Sequence, residues 1–121
     1  MNKGLPKNKN CLFCRIVRGE IPSQKVLENK ELLAFKDINP QAPIHVIIIP
    51  KKHLDSLSGA EEKEIALLGR IQLAIPEIAE KLLGKNSDYR VVTNCGEEAG
   101  QSVFHLHYHF LAGRRFTWPP G

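Results

Sequence analysis

Apolar residues recur along this chain with two different periods, and the changes of period divide it into elements. Ile65, Leu68, Ile71, Ile75, Ile78 and Leu82 follow one another at three and four residues, the spacing that lines one face of a helix. Ser58-Gly59-Ala60-Glu61 matches a capping box, with Ser58 as N-cap and Glu61 three residues on, and Gly84 is a natural stop. One long amphipathic helix is expected between them, kinked near residues 72–76 because Pro76 removes an interior hydrogen bond. Ile44 to Ile49 (IHVIII) carries five β-branched residues in six, broken only by His45. That predicts a central strand buried on both faces and stopped by Pro50. Lys25 to Asn29 and Glu31 to Asp37 predict a hairpin turning at Asn29-Lys30, with Leu33, Phe35 and Asp37 on one face. Asp88 to Asn94 predicts another strand, Cys95 to Ser102 a loop carrying Gly96 and Gly100, and Val103 to Gly113 the last long strand. Residues 11–18 (CLFCRIVR) predict a short helix with Leu12, Phe13 and Ile16 turned inward, ended by Gly19 and Pro22.

Strands on both sides of one long helix imply an α+β domain built on an antiparallel sheet of about five strands. The 121 residues suffice for one domain and are too few for two. The expected division is a flexible basic tail over residues 1–10 and a single domain over 11–121. No apolar run approaches the ~18–20 residues that span a membrane. MNKGLPKNKN is basic with no apolar segment behind it, so no secretory signal is expected, and the expected compartment is the cytoplasm. Lys3, Lys7 and Lys9 supply much of the net charge of +4, which reads equally well as solubility or as anion binding. Three cysteines, an odd number, argue against a disulfide framework.

The candidate chemistry sits in HLHYH, where His105, His107 and His109 use three of the five histidines at alternate positions. On a strand these project from one face about 6–7 Å apart. Val103 is their apolar neighbour, while Phe104, Leu106, Tyr108 and Phe110 point to the core. A solvent-facing polar stripe would more often use Thr, Lys or Glu. A catalytic three-histidine zinc site would need His105 and His109 to converge, which a straight strand forbids. Three crowded imidazoles cannot all be cationic near pH 7, and a neutral imidazole is the form that attacks. Upstream, NCGEEAGQS supplies Asn94, Gln101, Ser102 and glycine-backed N–H groups, which are donors for a phosphate. A histidine nucleophile attacking phosphorus fits these neighbours best. Cys11-Leu-Phe-Cys14 is separately compatible with a redox pair, half a zinc site, or two packed cysteines.

GQSVFHLHYHFLAGRRFTWPPG resembles the C-terminal half of histidine-triad (HIT) nucleotide-binding proteins, whose signature H-φ-H-φ-H-φ-φ is met by His105 to Leu111. AFKDI, PQAP before His45, IPKKH and GQS extend the resemblance over everything after residue 10. WPPG is similar to the Hint branch, which hydrolyses purine nucleoside phosphoramidates; Ala112 departs from the glycine usual there. The resemblance implies a HIT-like α+β fold and a homodimer. It implies that His107 attacks the α-phosphate, giving a nucleotidyl-histidine that water hydrolyses to the 5′-monophosphate. His109 would then bond the phosphate or leaving group, His105 and His45 would hold the site, and Ser102 would lie near the departing amine. Asn94, Gln101 and the His107 backbone would line the phosphate pocket, and Asp37 would take the ribose hydroxyls. Phe35, Leu12, Phe13, Ile16 and Ile38 would form an apolar slot for the base. No cofactor is implied for the chemistry. In some relatives a structural zinc is closed by positions matching Cys11, Cys14, His45 and His105, and His53 is left as a surface or structural residue. Leu67, Leu73 and Ala74 widen the apolar face of the long helix beyond one stripe, and the Trp118 tail would lie across the partner's site. The implied partner is a purine nucleotide, with neither nucleic acid nor membrane. Rival readings are a dinucleoside polyphosphate hydrolase of the same superfamily and a non-catalytic nucleotide-binding regulatory module.

Overall fold

The computed structural model describes residues 10–121, so the expected tail lies, except for Asn10, outside the described residues. The elements run α1 (Leu12–Val17), β1 (Lys25–Glu28), β2 (Leu32–Lys36), β3 (Ile44–Pro50), α2 (Ile65–Leu83), β4 (Arg90–Val92) and β5 (Tyr108–Ala112). Short 3-10 turns occupy Leu57–Gly59, Glu62–Glu64 and Glu97–Ala99. The five strands make one antiparallel sheet in the order β1-β2-β3-β5-β4. This is the α+β architecture that the hydrophobic pattern predicts.

Directly paired residues share a face of a sheet, so the register explains why β3 has almost no polar residue. Ala34, Ile48 and Tyr108 line up across three strands, and with Leu32, Val46 and Phe110 they pack on Ile71, Ala74, Ile75 and Ile78 of α2. Phe35, Ile47 and His109 line up on the opposite face, where Leu33, Phe35, Ile47 and Ile49 pack on Phe13, Cys14 and Ile16 of α1. The long helix covers its face. The six residues of α1 cover only part of theirs, and the uncovered part carries Asp37, His45 and His109.

Several local expectations are corrected. The capping box is formed by Glu61 and Glu64, not by Ser58 and Glu61: the Glu61 backbone N–H donates to Glu64 Oε1 at 2.6 Å, and the Glu64 backbone N–H donates to the Glu61 side chain. Glu64 is buried and also takes Lys52 Nζ at 2.7 Å, while the Ser58 hydroxyl lies 3.0 Å from Cys95 Sγ. Because a 3-10 turn intervenes, α2 starts at Ile65, and this first residue of the predicted stripe is 63% exposed. Ala74 belongs to the core, and Leu73, at 74% exposure, is the side chain left open. Leu12 is exposed; Phe13, Cys14 and Ile16 are the inward side chains of α1. Finally, β5 begins only at Tyr108, because the Leu106 N–H donates to Leu54 O at 2.6 Å and draws residues 103–107 off the ladder. Leu106 is buried as expected, but Phe104 is half exposed. Beyond β5, Gly113 has φ +94 and a Cβ there would lie 2.9 Å from Pro43 Cβ. Only glycine allows this approach, which seats the loop before His45 against the end of β5.

Candidate active site

A cleft of about 380 Å³ opens on the uncovered part of the sheet. Leu12, Phe13 and Ile16 wall it from α1, Phe35, Asp37 and Ile38 from the end of β2, and His45 and Ile47 from β3. His107, His109 and Ser102 close it from the chain entering β5. Ten of the residues expected from the sequence therefore meet in one cavity: His107, His109, Ser102, His45, Asp37, Ile38, Phe35, Phe13, Leu12 and Ile16. Phe13 stands edge-on to Phe35 and to His107, with ring centroids 5.6 and 5.0 Å apart.

Fixed donors and acceptors assign the protons of the histidines. The His107 Nδ1 lies 2.8 Å from the backbone carbonyl of His105, which can only accept, so Nδ1 carries the proton. Burial holds His107 below the ordinary imidazole range, so the ring is neutral at pH 7 and Nε2 bears a lone pair. The Gln41 backbone N–H donates to His45 Nδ1 at 3.0 Å, which puts the His45 proton on Nε2. That proton is directed to His109 Nδ1 at 2.9 Å, with Asp37 Oδ2 also within 3.3 Å. His109 consequently accepts at Nδ1 and carries its own proton on Nε2. Burial, helped by the neighbouring His107 and His45, pushes His109 down to about 4. The result is a neutral imidazole with its Nε2 lone pair free of a proton, beside a neutral N–H donor.

His105 is fully buried and lines no part of this cleft. Its Nε2–H donates to the Pro50 carbonyl at 2.8 Å, leaving Nδ1 to face Cys11 Sγ at 3.3 Å and Cys14 Sγ at 3.5 Å. His53 is built alike: Nε2 meets the Asp55 carboxylate at 2.8 Å and Nδ1 lies 3.3 Å from Cys14 Sγ. Cys11, Cys14, His53 and His105 thus gather two sulfurs and two lone-pair nitrogens within 4.8 Å of one another. A tetrahedral zinc separates its S and N ligands by roughly 3.5 Å, and holds each histidine by an outer N–H bonded to oxygen. Both conditions are met. Burial, then the adjacent Cys11, pushes the Cys14 thiol up to about 12, so metal binding here would have to release thiol protons.

The zinc set expected from the resemblance is corrected at one position: His53 takes the place assigned to His45. On the sheet His45 pairs with Leu111, six residues beyond His105, whereas the chain leaving β3 at Pro50 passes beside His105. Asp37, His45 and His109 form a second compact cluster, but it is unsuited to a metal. His45 must accept from Gln41 at its outer nitrogen, so its inner nitrogen needs a proton where a metal would sit.

Two further residues lie outside the cleft. Gln101 is buried, taking Gly96 N–H and donating to Asp55 O and Val103 O, so it ties two loops together. Asn94 lines none of the clefts described and stands beside Gly100. Ile47 and the Ile21-Pro22-Ser23 turn also wall the cleft and were not anticipated. Ile47 was readable from its place two residues after His45 on one strand, which puts both side chains on the same face; the turn carries no motif of its own.

A five-stranded antiparallel sheet with alternate histidines, two of which line a cleft on the face opposite the long helix, defines the class of small α+β proteins to which the comparisons point. The model of the family described as scavenger mRNA decapping enzyme C-term binding matches residues 10–116. An uncharacterized HIT-like protein of Synechocystis is 51% identical over 93% of this chain and 98% of its own length. A 14 kDa zinc-binding protein of Zea mays is 47% identical over 91% and 87%. A HIT family hydrolase from Legionella pneumophila has a similar structure, with TM-score 0.89, 46% identity, and coverage of 93% of this chain and 100% of that one. The chain belongs to the histidine-triad family.

Proposed function

We propose that this protein hydrolyses nucleoside 5′-phosphoramidates through a nucleotidyl-histidine, as in the Hint branch. The observation that carries the reading is the His107 Nδ1–His105 O bond, which leaves a neutral Nε2 lone pair on the cleft wall. In the first step Nε2 bonds to phosphorus as the P–N bond to the amine breaks. The electron pair stays on the amine nitrogen, which takes up a proton from water at the cleft mouth and leaves. Water then attacks phosphorus, the P–Nε2 bond breaks, and the nucleoside 5′-monophosphate is released. The proton shed by that water replaces the one taken up before. His109 Nε2–H bonds a phosphoryl oxygen, with His45 fixing its tautomer. Asp37 takes the ribose diol, and Phe13, Phe35, Leu12, Ile16 and Ile38 hold the purine base.

We further propose that Cys11, Cys14, His53 and His105 hold a structural zinc, which would leave His107 free. A 14 kDa zinc-binding protein among the relatives supports this. The acting unit is a homodimer, since Ile65, Leu73 and Trp118 are large apolar side chains left open to water.

A panel of adenosine 5′-phosphoramidates and diadenosine polyphosphates tests the reading, together with His107→Asn. Amidate turnover by the wild type and its loss in the variant, with nucleotide still bound, are expected. Near-normal turnover by His107→Asn would refute the nucleophile.

A further inference from the structure

Residues 113–117 follow β5 and do not line the cleft, yet they grip the loop of residues 38–43 that leads into His45. Gly113 sits on Pro43, so close that a Cβ there would lie 2.9 Å from the proline Cβ. Next to it, Arg114 Nε donates to the Gln41 carbonyl at 3.2 Å. The Arg114 guanidinium lies 4.2 Å from the centre of the Phe116 ring, and its Nη1 donates to the Arg115 carbonyl at 3.3 Å. From β4, Arg90 places its own guanidinium 5.2 Å from the same centre and donates from Nη2 to the Thr117 carbonyl at 3.0 Å. Stacking and a second hydrogen bond hold the Arg114 fork in place, so little side-chain freedom is lost in its bond to the loop.

The residue gripped in this way also fixes a proton in the site. Gln41 accepts from Arg114 at its carbonyl and donates from its backbone N–H to His45 Nδ1 at 3.0 Å, the two groups flanking one Cα. With Nδ1 accepting, His45 carries its proton on Nε2, bonded to His109 Nδ1 at 2.9 Å, and His109 keeps its own on Nε2. If the Gln41 N–H moves away, His45 Nδ1 can take the proton instead. Both rings then change tautomer together. His109 donates from Nδ1 to His45 Nε2 and turns a lone pair toward the phosphoryl oxygen that it would otherwise bond. Asp37 Oδ2, 3.3 Å from His45 Nε2, opposes that exchange in the empty site, but a bound ribose diol claims the same carboxylate.

We propose that Arg114 is a positioning residue: through Gln41 and His45 it holds the His109 proton on Nε2 from outside the cleft. Its effect on rate rests on the phosphoramidate reading, whereas its effect on the tautomers does not.

Long-range proton–nitrogen correlation spectra of the protein saturated with AMP read which nitrogen of each histidine is protonated, with His45→Gln and His109→Gln assigning the signals. Wild type should show Nε2–H on both rings, and Arg114→Ala should show Nδ1–H on both. In the same variant kcat for the AMP amidate of ammonia should fall about fivefold with little change in KM, the scale of one lost hydrogen bond. Arg114→Lys keeps the charge and a donor and should recover most of the rate. Arg115→Ala removes the same charge one residue on, keeps the carbonyl that Arg114 uses, and should leave tautomers and rate as in wild type. Gly113→Ala displaces the loop through Pro43 and should reproduce the Arg114→Ala spectrum. Nε2–H retained on both rings in Arg114→Ala overturns the proposal whatever the rates, and so does an equal loss of kcat in Arg115→Ala. Changed tautomers in Arg114→Ala, in a protein whose wild type hydrolyses no amidate, would overturn the phosphoramidate reading and leave the positioning role standing.

Discussion

At the scale of single residues, reactivity here depends on backbone partners more than on other side chains. The His105 carbonyl and the Gln41 N–H decide which nitrogen of His107 and of His45 is protonated. A third such contact holds His107, the proposed nucleophile, from outside the cleft: the Thr93 hydroxyl donates to the His107 carbonyl at 2.8 Å. Backbone pairing between β4 and β5 ends at Val92 and His109, so this side-chain bond from the residue after Val92 anchors His107 two residues beyond the ladder. Thr93→Val keeps the shape and removes the donor. A lost hydrogen bond of about 1 kcal/mol predicts a roughly fivefold fall in kcat with little change in KM. Thr93→Ser should restore most of the rate. Parallel changes in kcat and KM, or no rescue by Ser, would show that Thr93 does not position the nucleophile.

At the scale of elements, α1 joins the two halves of the site. Cys11 caps it, with Sγ accepting from the Cys14 N–H at 3.2 Å, and Cys14 sits one turn on. The next residues, Phe13 and Ile16, wall the cleft. The cluster of two cysteines and two histidines therefore ties α1 to the end of β3 and to the segment before β5. His53→Ala should reduce zinc per chain and weaken its affinity by at least about 100-fold, since even outer partners of a ligand are worth 10–100-fold. His45→Ala should retain zinc. Elemental analysis of protein purified without added metal or chelator measures both. Equal zinc content in the two variants would remove His53 from the metal set.

At the scale of the whole molecule, burying imidazoles makes the fold sensitive to acid. His109 falls from an ordinary value of 6.5 to about 4 because burial opposes its charge. The unfolded chain therefore binds this proton at higher pH than the folded one. The stabilisation is complete above 6.5 and is lost as pH falls through the window down to about 4. Glu20, Glu28, Glu31 and Glu64 are held below 4.5, so their own losses come later. The urea midpoint should already drop between pH 6.5 and 4.5, and His109→Gln should flatten that drop. An identical slope in the variant would mean that His109 contributes none of it.

Periodicity and residue chemistry determined much of this protein. The continuous apolar run at 44–49 specifies a strand covered on both faces, and the three- and four-residue repeat specifies α2, because each pattern is satisfied by only one local geometry. The HLHYH spacing, with Asp37 on the face of Phe35, likewise made most of the cleft legible. Long-range pairing decided the rest. Which histidine meets Cys11 and Cys14 depends on the β3–β5 register, which puts His53 beside His105 and carries His45 away. Phe104 and Ser58 depart from their local patterns because contacts with Leu54 and Cys95, distant in sequence, outweigh alternation and capping propensity. The tautomers of His107 and His45 are set by a carbonyl and an N–H whose positions exist only once the chain has folded.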